Sequence, residues 1–103
     1  MTRLNVDGKV VVITGGSRGL GLYCAEVLLT HGAKSIYLTS RKQKAVDEAV
    51  DYLKKIAKDK GLDAKIVGVA SDVSNKAGVK KFYDVVASNE SKVDILIPNA
   101  GAT

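Results

Sequence analysis

The feature that most constrains this chain is a glycine-rich turn, Thr14-Gly-Gly-Ser-Arg-Gly-Leu-Gly21. It follows the apolar run Lys9-Val-Val-Val-Ile-Thr14, which is typical of a strand buried on both faces. It precedes a segment from Arg18 to His31 whose apolar residues recur with a period of 3.6, which predicts a helix. The apolar face predicted for that helix comprises Leu20, Tyr23, Cys24, Val27 and Leu28. A strand, a glycine turn and a helix in this order predict the first unit of an α/β fold.

The remainder of the chain continues this alternation. Strands are predicted at 35–39, 64–70 and 94–97, the last ended by Pro98. A long helix is predicted from the spacing of Val46, Ala49, Val50, Leu53, Ile56 and Ala57, and a third helix from Val79, Phe82, Tyr83 and Val86. Ser74 or Asn75 is the candidate cap of the third helix, and Tyr23, Cys24, Phe82 and Tyr83 are interpreted as packing residues. The order β-α-β-α-β-α-β predicts one α/β domain with a parallel, doubly wound sheet of the Rossmann type.

The glycine turn predicts a phosphate-binding loop. A diphosphate must come close to a helix N-terminus to accept backbone N–H hydrogen bonds there. We expect Gly15 to allow a sharp turn, Gly19 to leave no Cβ in front of the phosphates, and Gly21 to let the helix pack closely on the strand. Strand before and helix after is the context such a motif requires, which favours this interpretation over a plain turn.

Two other glycine motifs are excluded by spacing. A P-loop would require Lys and Ser or Thr after Gly21, where the chain has Leu22 and Tyr23. The absence of that lysine disfavours an ATPase or a kinase. The common G-x-G-x-x-G pattern also fails, because the glycines stand at Gly15, Gly19 and Gly21.

The pattern T-G-x-x-x-G-x-G resembles that of the short-chain dehydrogenases/reductases. Asp72-Val73, after the third predicted strand, is similar to the family's adenine-contacting pair, and Asn99-Ala100-Gly101, after the fourth, resembles its Asn-Ala-Gly turn. The entry Asp7-Gly8-Lys9-Val10 is also similar. Pro98 departs from the family, which usually has a second Asn there. These motifs cover essentially the whole chain.

The resemblance implies a sheet with strand order 3-2-1-4 and a set of residues that bind a dinucleotide. The candidate cofactor-binding residues are Gly15, Ser17, Arg18, Gly19, Leu20, Gly21, Ser40, Arg41, Asp72, Val73, Asn99, Ala100 and Gly101. No tyrosine of this chain is followed four residues later by lysine, so the family's catalytic Tyr-x-x-x-Lys pair is missing. We therefore expect residues 1–103 to be a partial NAD(P)-binding Rossmann domain, inactive alone, whose catalytic C-terminal half lies beyond Thr103.

The end of the second predicted strand indicates which cofactor is bound. An acidic residue there would accept hydrogen bonds from the ribose 2′-OH of NAD and repel the 2′-phosphate of NADP. The chain instead has Ser40-Arg41-Lys42, with no acid until Asp47. Arg41 offers a planar set of donors to a phosphate, and Ser40 a hydroxyl. Arg18 resembles a second basic residue of NADP-preferring members, so NADP(H) is favoured over NAD.

Composition excludes several other classes. The chain has 103 residues and a net charge of +5, but its lysines are scattered among acids without interleaved aromatic residues, which disfavours a nucleic-acid interface. We expect no membrane segment and no secretory signal, and hence a cytoplasmic protein. The one cysteine cannot form an internal disulfide, and one His and one Cys make no metal site. We interpret His31 as a helix C-terminal residue rather than a catalytic one.

Two functions remain open at this point. The first is the NADP(H)-binding portion of a short-chain oxidoreductase that transfers hydride between nicotinamide and a small carbonyl or alcohol substrate, in a full-length protein expected to form homo-oligomers. The second is a short dinucleotide-binding protein without catalysis, acting as a redox sensor or a partner-binding subunit. Continuation of the reading frame into a Ser and a Tyr-x-x-x-Lys pair would favour the first.

Overall fold

A computed structural model describes residues 6–15 and 19–98. Four strands alternate with three helices in chain order: β1 (Val10–Thr14), α1 (Gly19–Thr30), β2 (Ser35–Ser40), α2 (Gln43–Asp59), β3 (Lys65–Ala70), α3 (Lys76–Asn89) and β4 (Ile95–Pro98). The strands form one parallel sheet in the order β3-β2-β1-β4. The predicted Rossmann-type sheet and its strand order are therefore confirmed.

The two central strands are buried on both faces, as their continuous apolar sequences predict. Val11 and Ile13 of β1 lie with Ile36 and Leu38 of β2 in a core that includes the buried residues of α1 and α2. The alternate positions face the other way, where Val10, Val12, Tyr37 and Val69 pack with Phe82 and Val86 of α3. Helices therefore cover both faces of the sheet, α1 and α2 on one and α3 on the other.

Helix α1 contradicts the predicted apolar face in part, because Leu28 alone of its five predicted residues is buried. Its buried residues are Gly21, Ala25, Leu28 and Leu29, whereas the side chains of Leu20 and Tyr23 are 69% and 63% exposed. The packing role given to Tyr23 is wrong, and Cys24 is only half-buried. The reason is that α1 has apolar residues around most of its circumference, so that the periodicity alone does not specify which side meets the sheet.

Helix α2 confirms its prediction. Val46, Ala49, Leu53 and Ala57 are buried at helical spacing. The helix lies so close to β3 that a Cβ built on Gly68 would overlap Val46 Cγ1 and lie 2.6 Å from Val50 Cγ2. Glycine at position 68 thus sets the distance between α2 and the sheet. On the outside, the Tyr52 hydroxyl donates a 2.6 Å hydrogen bond to Glu26 Oε1 of α1.

Helix α3 begins after Asn75, whose side-chain oxygen accepts a 2.8 Å hydrogen bond from the Gly78 backbone N–H. Of the two candidate caps, Asn75 is therefore the one that acts. Phe82 and Val86 are buried, as predicted, but Tyr83 is 64% exposed, so its interpretation as a packing residue is wrong. Phe82 and Val86 stand at i and i+4 and occupy the same side of the helix, whereas Tyr83 lies about 100° around from Phe82.

A polar cluster fixes the C-terminal end of α3 to the amino ends of the strands. The Glu90 side chain is 5% exposed, and its Oε2 accepts hydrogen bonds from the Tyr37 hydroxyl at 2.6 Å and the Ser35 hydroxyl at 3.0 Å. Lys65 Nζ lies 3.7 Å from the same oxygen. These hydrogen bonds hold the pKa of Glu90 below its ordinary value, and burial together with the bond to Glu90 raises the pKa of Tyr37.

Strand β4 is attached to β1 at the same edge. Asp94 Oδ2 accepts a 2.9 Å hydrogen bond from the Val10 backbone N–H, and this bond is the main reason why the pKa of Asp94 is lowered. The strand begins one residue later than predicted and includes Pro98, which stands opposite Thr14 in the register. Pro98 is thus the last paired residue of β4, where its missing N–H matters least.

Candidate nucleotide-binding site

The candidate site residues meet at the carboxyl edge of the sheet. Because all four strands are parallel, the segments that follow them start at the same edge. Thr14 stands opposite Thr39 and Pro98, and Ser40 stands opposite Ala70. Three candidate segments therefore lie at the carboxyl ends of neighbouring strands. They are the glycine turn after β1, the Ser40-Arg41 pair at the end of β2 and the Asp72-Val73 pair after β3.

At two described positions of the turn, Gly15 and Gly19, the backbone conformation favours glycine. Their φ angles are +71° and +61°, a conformation that side chains with a Cβ rarely adopt. A Cβ placed on Gly19 would lie within 4 Å of no described atom outside its chain neighbours. Gly21 is buried, as expected for close helix packing, and Leu20 is exposed. Ser17 and Arg18 lie outside the described residues.

The N-terminus of α1 has the electrostatic character that an anion needs. The first turn of the helix contains no acidic residue. Its backbone N–H groups and the positive end of the helix dipole therefore face no carboxylate of that turn. The backbone angles of Gly15 and Gly19, and the lack of a Cβ at position 19, fit the close approach of the diphosphate of a dinucleotide.

Hydrogen bonds join the carboxyl end of β2 to the carboxyl end of β3 at this edge. The buried Thr39 hydroxyl donates to the Val69 carbonyl at 2.7 Å and lies 2.9 Å from Ser71 Oγ. The Ser71 backbone N–H donates to the Ser40 carbonyl at 2.9 Å. Sequence reasoning did not single out Thr39 or Ser71, and the signal available was two hydroxyl residues at the ends of neighbouring apolar strands. These hydrogen bonds fix the spacing between the residues that follow β2 and those that follow β3.

Arg41 is exposed immediately after β2, beside the half-buried Ser40. The acid nearest to it along the following sequence, Asp47, is engaged within α2, where its Oδ1 accepts a 2.8 Å hydrogen bond from Gln43 Nε2. Arg41 lies near enough to Asp72, after β3, to contribute to lowering the pKa of that carboxyl. The end of β2 thus presents a guanidinium and a hydroxyl to solvent at the edge where the glycine turn begins.

Asp72 is fixed mainly by Ser74. The Ser74 hydroxyl and backbone N–H donate to Asp72 Oδ1 at 2.6 Å and 2.9 Å, and these two bonds are the largest causes of the lowered pKa of Asp72. The sequence offered Ser74 as a possible helix cap, but its hydroxyl bonds to Asp72 instead. Val73 is half-buried and packs against the α3 side of the sheet. The aspartate is therefore ionised at neutral pH, with a defined side-chain orientation.

The first turn of α3 lies against the backbone of Asp72. A Cβ added to Gly78 would overlap the Asp72 carbonyl, so only glycine permits this approach. Lys81 Nζ donates a 2.7 Å hydrogen bond to the carbonyl of Ala70, the last residue of β3. Neither Gly78 nor Lys81 was among the residues chosen from the sequence. The helix thereby holds the loop from Ser71 to Asn75 in place from behind.

Other predicted features lie away from this edge or outside the described residues. Asn99, Ala100 and Gly101 fall beyond the part of the chain that the structure describes. His31 caps the end of α1, with its Nδ1 2.7 Å from the Val27 carbonyl, as the sequence indicated. Among residues 6–15 and 19–98, no three His, Cys, Asp or Glu side chains are grouped to hold a metal ion. Within those same ranges, every helix is too short or too polar to cross a membrane.

Comparison with known proteins agrees with this geometry. A parallel sheet of order 3-2-1-4, helices on both faces and a glycine turn after β1 define a Rossmann-like fold of the nucleotide-binding kind. The sequence model of the short chain dehydrogenase family matches residues 9–103. The chain therefore belongs to the short-chain dehydrogenase family, whose members are oxidoreductases that act on small molecules.

Individual relatives are similar over nearly the whole chain. "Dehydrogenase/reductase SDR family member 4" of Caenorhabditis elegans is 41% identical over 95 residues, which is 92% of this chain and 34% of that protein. The L-sorbose reductase of Gluconobacter frateurii, solved with NADPH and L-sorbose, is 37% identical with a TM-score of 0.82 over 94% of this chain and 35% of that one. A short chain dehydrogenase/reductase of Burkholderia phymatum, solved with NAD, is 34% identical with a TM-score of 0.76 over 91% of this chain and 31% of that one. The chain spans about a third of the length of the curated relatives it matches.

Proposed function

We propose that this chain binds NADP(H) as the cofactor-binding portion of a short-chain oxidoreductase. In the whole protein, the bound nicotinamide would supply or accept the hydride exchanged with a small carbonyl or alcohol substrate. The single observation that carries the proposal is the convergence of the glycine turn, Arg41 and Asp72 at one edge of the parallel sheet. A solved relative at 37% identity is complexed with NADPH, and another at 34% with NAD, so the preference for NADP(H) depends on this chain's own residues.

The glycine turn would hold the diphosphate. Gly15 and Gly19 adopt positive φ angles, and a Cβ on Gly19 would lie within 4 Å of no described atom outside its chain neighbours. Backbone N–H groups at the start of α1 would donate to the phosphate oxygens, and the helix dipole would favour their negative charge. Ser17, Arg18, Leu20 and Gly21 are assigned to the same phosphate site, the last two from the first turn of α1. Gly21 acts by packing, because it is buried where α1 meets the sheet.

The end of β2 would select the phosphorylated cofactor. Arg41 can donate two parallel hydrogen bonds to a 2′-phosphate, and Ser40 can add a hydroxyl. The position where an acid would repel that phosphate is occupied by these two residues, and Asp47 is turned to Gln43 within α2. The exposed guanidinium of Arg41 therefore meets a 2′-phosphate without first breaking a salt bridge within the described residues.

The adenosine of the cofactor would contact the segments that follow β3 and β4. Asp72 and Val73 are assigned to the adenine, and Asn99, Ala100 and Gly101 to the adenosine-side ribose. Asp72 is ionised and its orientation is fixed by Ser74, as an acceptor for an amino group requires. These assignments follow the family's motifs position by position.

The proton-transfer chemistry would come from residues outside this chain. The Tyr37 hydroxyl donates its hydrogen bond to Glu90 at the amino edge of the sheet, opposite the proposed cofactor site. Tyr23, Tyr52 and Tyr83 are exposed on helix surfaces, and none is followed four residues later by a lysine. The described tyrosines therefore offer no group that could act as the general acid or base beside a nicotinamide.

A comparison of Arg41→Ala with Lys55→Ala tests the proposal. Removing a charge-assisted hydrogen bond worth about 1.5–3 kcal/mol should weaken NADPH binding about 10- to 150-fold. NADH lacks the 2′-phosphate, so its affinity should change little. Lys55→Ala removes the same charge from an exposed position on α2 and should leave both affinities unchanged. Dissociation constants for both nucleotides would be measured by calorimetry on the full-length protein that carries this chain, and equal losses for NADPH and NADH in Arg41→Ala would contradict the assignment.

A further inference from the structure

The two oxygens of the Asp72 carboxylate are not equivalent. Oδ1 accepts both hydrogen bonds from Ser74, one from its hydroxyl at 2.6 Å and one from its backbone N–H at 2.9 Å. Within residues 6–15 and 19–98, Oδ2 accepts no hydrogen bond from a side chain or the backbone. One oxygen is therefore committed to the loop, and the other is left as an acceptor that a ligand can use.

The loop around this carboxylate is held without any ligand. Asn75 accepts a 2.8 Å hydrogen bond from the Gly78 backbone N–H and so caps α3, which starts at Lys76. Gly78 in turn packs against the Asp72 carbonyl so closely that no other residue fits. The backbone of Asp72 is thus fixed from two sides, and a ligand would not have to order it on binding.

A carboxylate that is ionised and held in one rotamer has a defined preference among ligand groups. It can only accept hydrogen bonds, so it attracts an N–H donor and repels an oxygen. The lowered pKa of Asp72 keeps it in this acceptor form at neutral pH. A purine with an amino group at C6 offers such a donor, whereas the same purine with an oxygen at C6 offers an acceptor in that place.

We propose that Ser74 is a positioning residue that makes this site select adenine over hypoxanthine, by holding Asp72 Oδ1 so that Oδ2 alone faces the base. The inference rests on the proposed function, because it assumes that a dinucleotide occupies the site. Ser74 itself need not touch the ligand. It acts through Asp72, and its effect is specific to the C6 substituent of the base.

The test compares NADPH with its hypoxanthine analogue, reduced nicotinamide hypoxanthine dinucleotide phosphate. The two ligands share the diphosphate, both riboses, the 2′-phosphate and the nicotinamide, so the ratio of their dissociation constants reports the base alone. Calorimetry on the full-length protein that carries this chain should give a wild-type preference for NADPH of about tenfold or more. In Ser74→Ala the preference should narrow by about 2- to 12-fold, the value of one hydrogen bond.

Two control variants separate positioning from a general structural effect. Ser74→Thr keeps a hydroxyl and a backbone N–H and should keep the wild-type ratio. Ser88→Ala removes a hydroxyl that bonds to the Asp84 carbonyl on exposed α3, and should also keep it. Circular dichroism would verify that all variants fold, which is expected because the Ser74 side chain is exposed.

The possible failures are distinguishable. Wild-type protein that binds neither dinucleotide overturns the proposed function and this inference with it. Wild-type protein that binds both equally well overturns the inference alone. The same is true if Ser74→Ala weakens both ligands by the same factor or leaves the ratio at its wild-type value, because a merely structural role would change the affinities together.

Discussion

The buried contact between Tyr37 and Glu90 allows a sharp test of how burial changes the worth of a hydrogen bond. Tyr37→Phe removes a hydroxyl that donates to a carboxylate at 2.6 Å, with Tyr37 fully buried and Glu90 5% exposed. The ring volume is kept, and Ser35 still donates to Glu90. Since hydrogen bonds to charged groups contribute about 1.5–3 kcal/mol, the free energy of unfolding at pH 7 should fall by that amount.

The chain contains a matched control for this substitution. The Tyr52 hydroxyl donates to Glu26 at the same distance of 2.6 Å, but this pair is exposed on the surface of α1 and α2. Tyr52→Phe is the same chemical change, and water can replace the lost donor, so its effect should be much smaller. Urea unfolding of the wild type and both variants measures the difference. A loss at Tyr37 no larger than the loss at Tyr52 would refute the reasoning.

The pH dependence of the same variant supplies a second measurement. The pKa of Glu90 is lowered in the folded protein, first by Tyr37 and then by Ser35, Lys65 and Lys34. A group with a lowered folded-state pKa stabilises the protein above its ordinary pKa of 4.5, and this stabilisation is lost as the pH falls through the folded-state value. The difference between wild type and Tyr37→Phe should therefore be largest near neutrality and shrink in acid. A difference that stays constant from pH 7 to pH 3 would contradict this account.

Two further substitutions test the packing and capping of the helices. Gly68→Ala should lower the free energy of unfolding by about 1–3 kcal/mol, because the added methyl group would overlap Val46 and push α2 off β3; thermal unfolding measures this, and a stabilised variant would contradict it. Asn75→Ala should cost about 0.5–2 kcal/mol, because the Gly78 backbone N–H loses its cap, whereas Asn89→Ala at the exposed end of the same helix should cost less; urea titration compares the two, and equal losses would argue against a capping role.

Local sequence signals were sufficient for the elements whose two sides differ in polarity or whose burial is complete. Strand β1 is a continuous β-branched run, and α2 alternates apolar and charged residues with a helical period, so both were predictable. Residue type and position narrowed the cap of α3 to Ser74 or Asn75, and the structure identifies Asn75. The strand order came from the resemblance of short motifs to a known family, which local propensity alone does not provide.

The failures have a common physical cause, which is that burial depends on neighbours distant in the sequence. Helix α1 is apolar almost all around, so only its packing on the sheet decides that Ala25 is buried and Tyr23 exposed. Glu90 meets Tyr37 across 53 positions and Ser35 across 55, and no window of sequence reveals such a cluster. Gly78 reads as an ordinary weak point within a helix until the backbone of Asp72 is seen against it.

Helix α3 consists of 14 residues and is attached at both of its ends to opposite edges of the sheet. Its first turn abuts the carbonyl of Asp72, and the residue that follows its last turn, Glu90, is anchored by Tyr37 and Ser35. Acid weakens the contact of Glu90 with Tyr37 and Ser35, because the Glu90 carboxylate takes up a proton. The contact of Gly78 with the Asp72 carbonyl involves no side chain that titrates. Acidification below the ordinary glutamate pKa of 4.5 should therefore weaken the attachment of α3 at Glu90, while the uncharged packing contact at Gly78 persists.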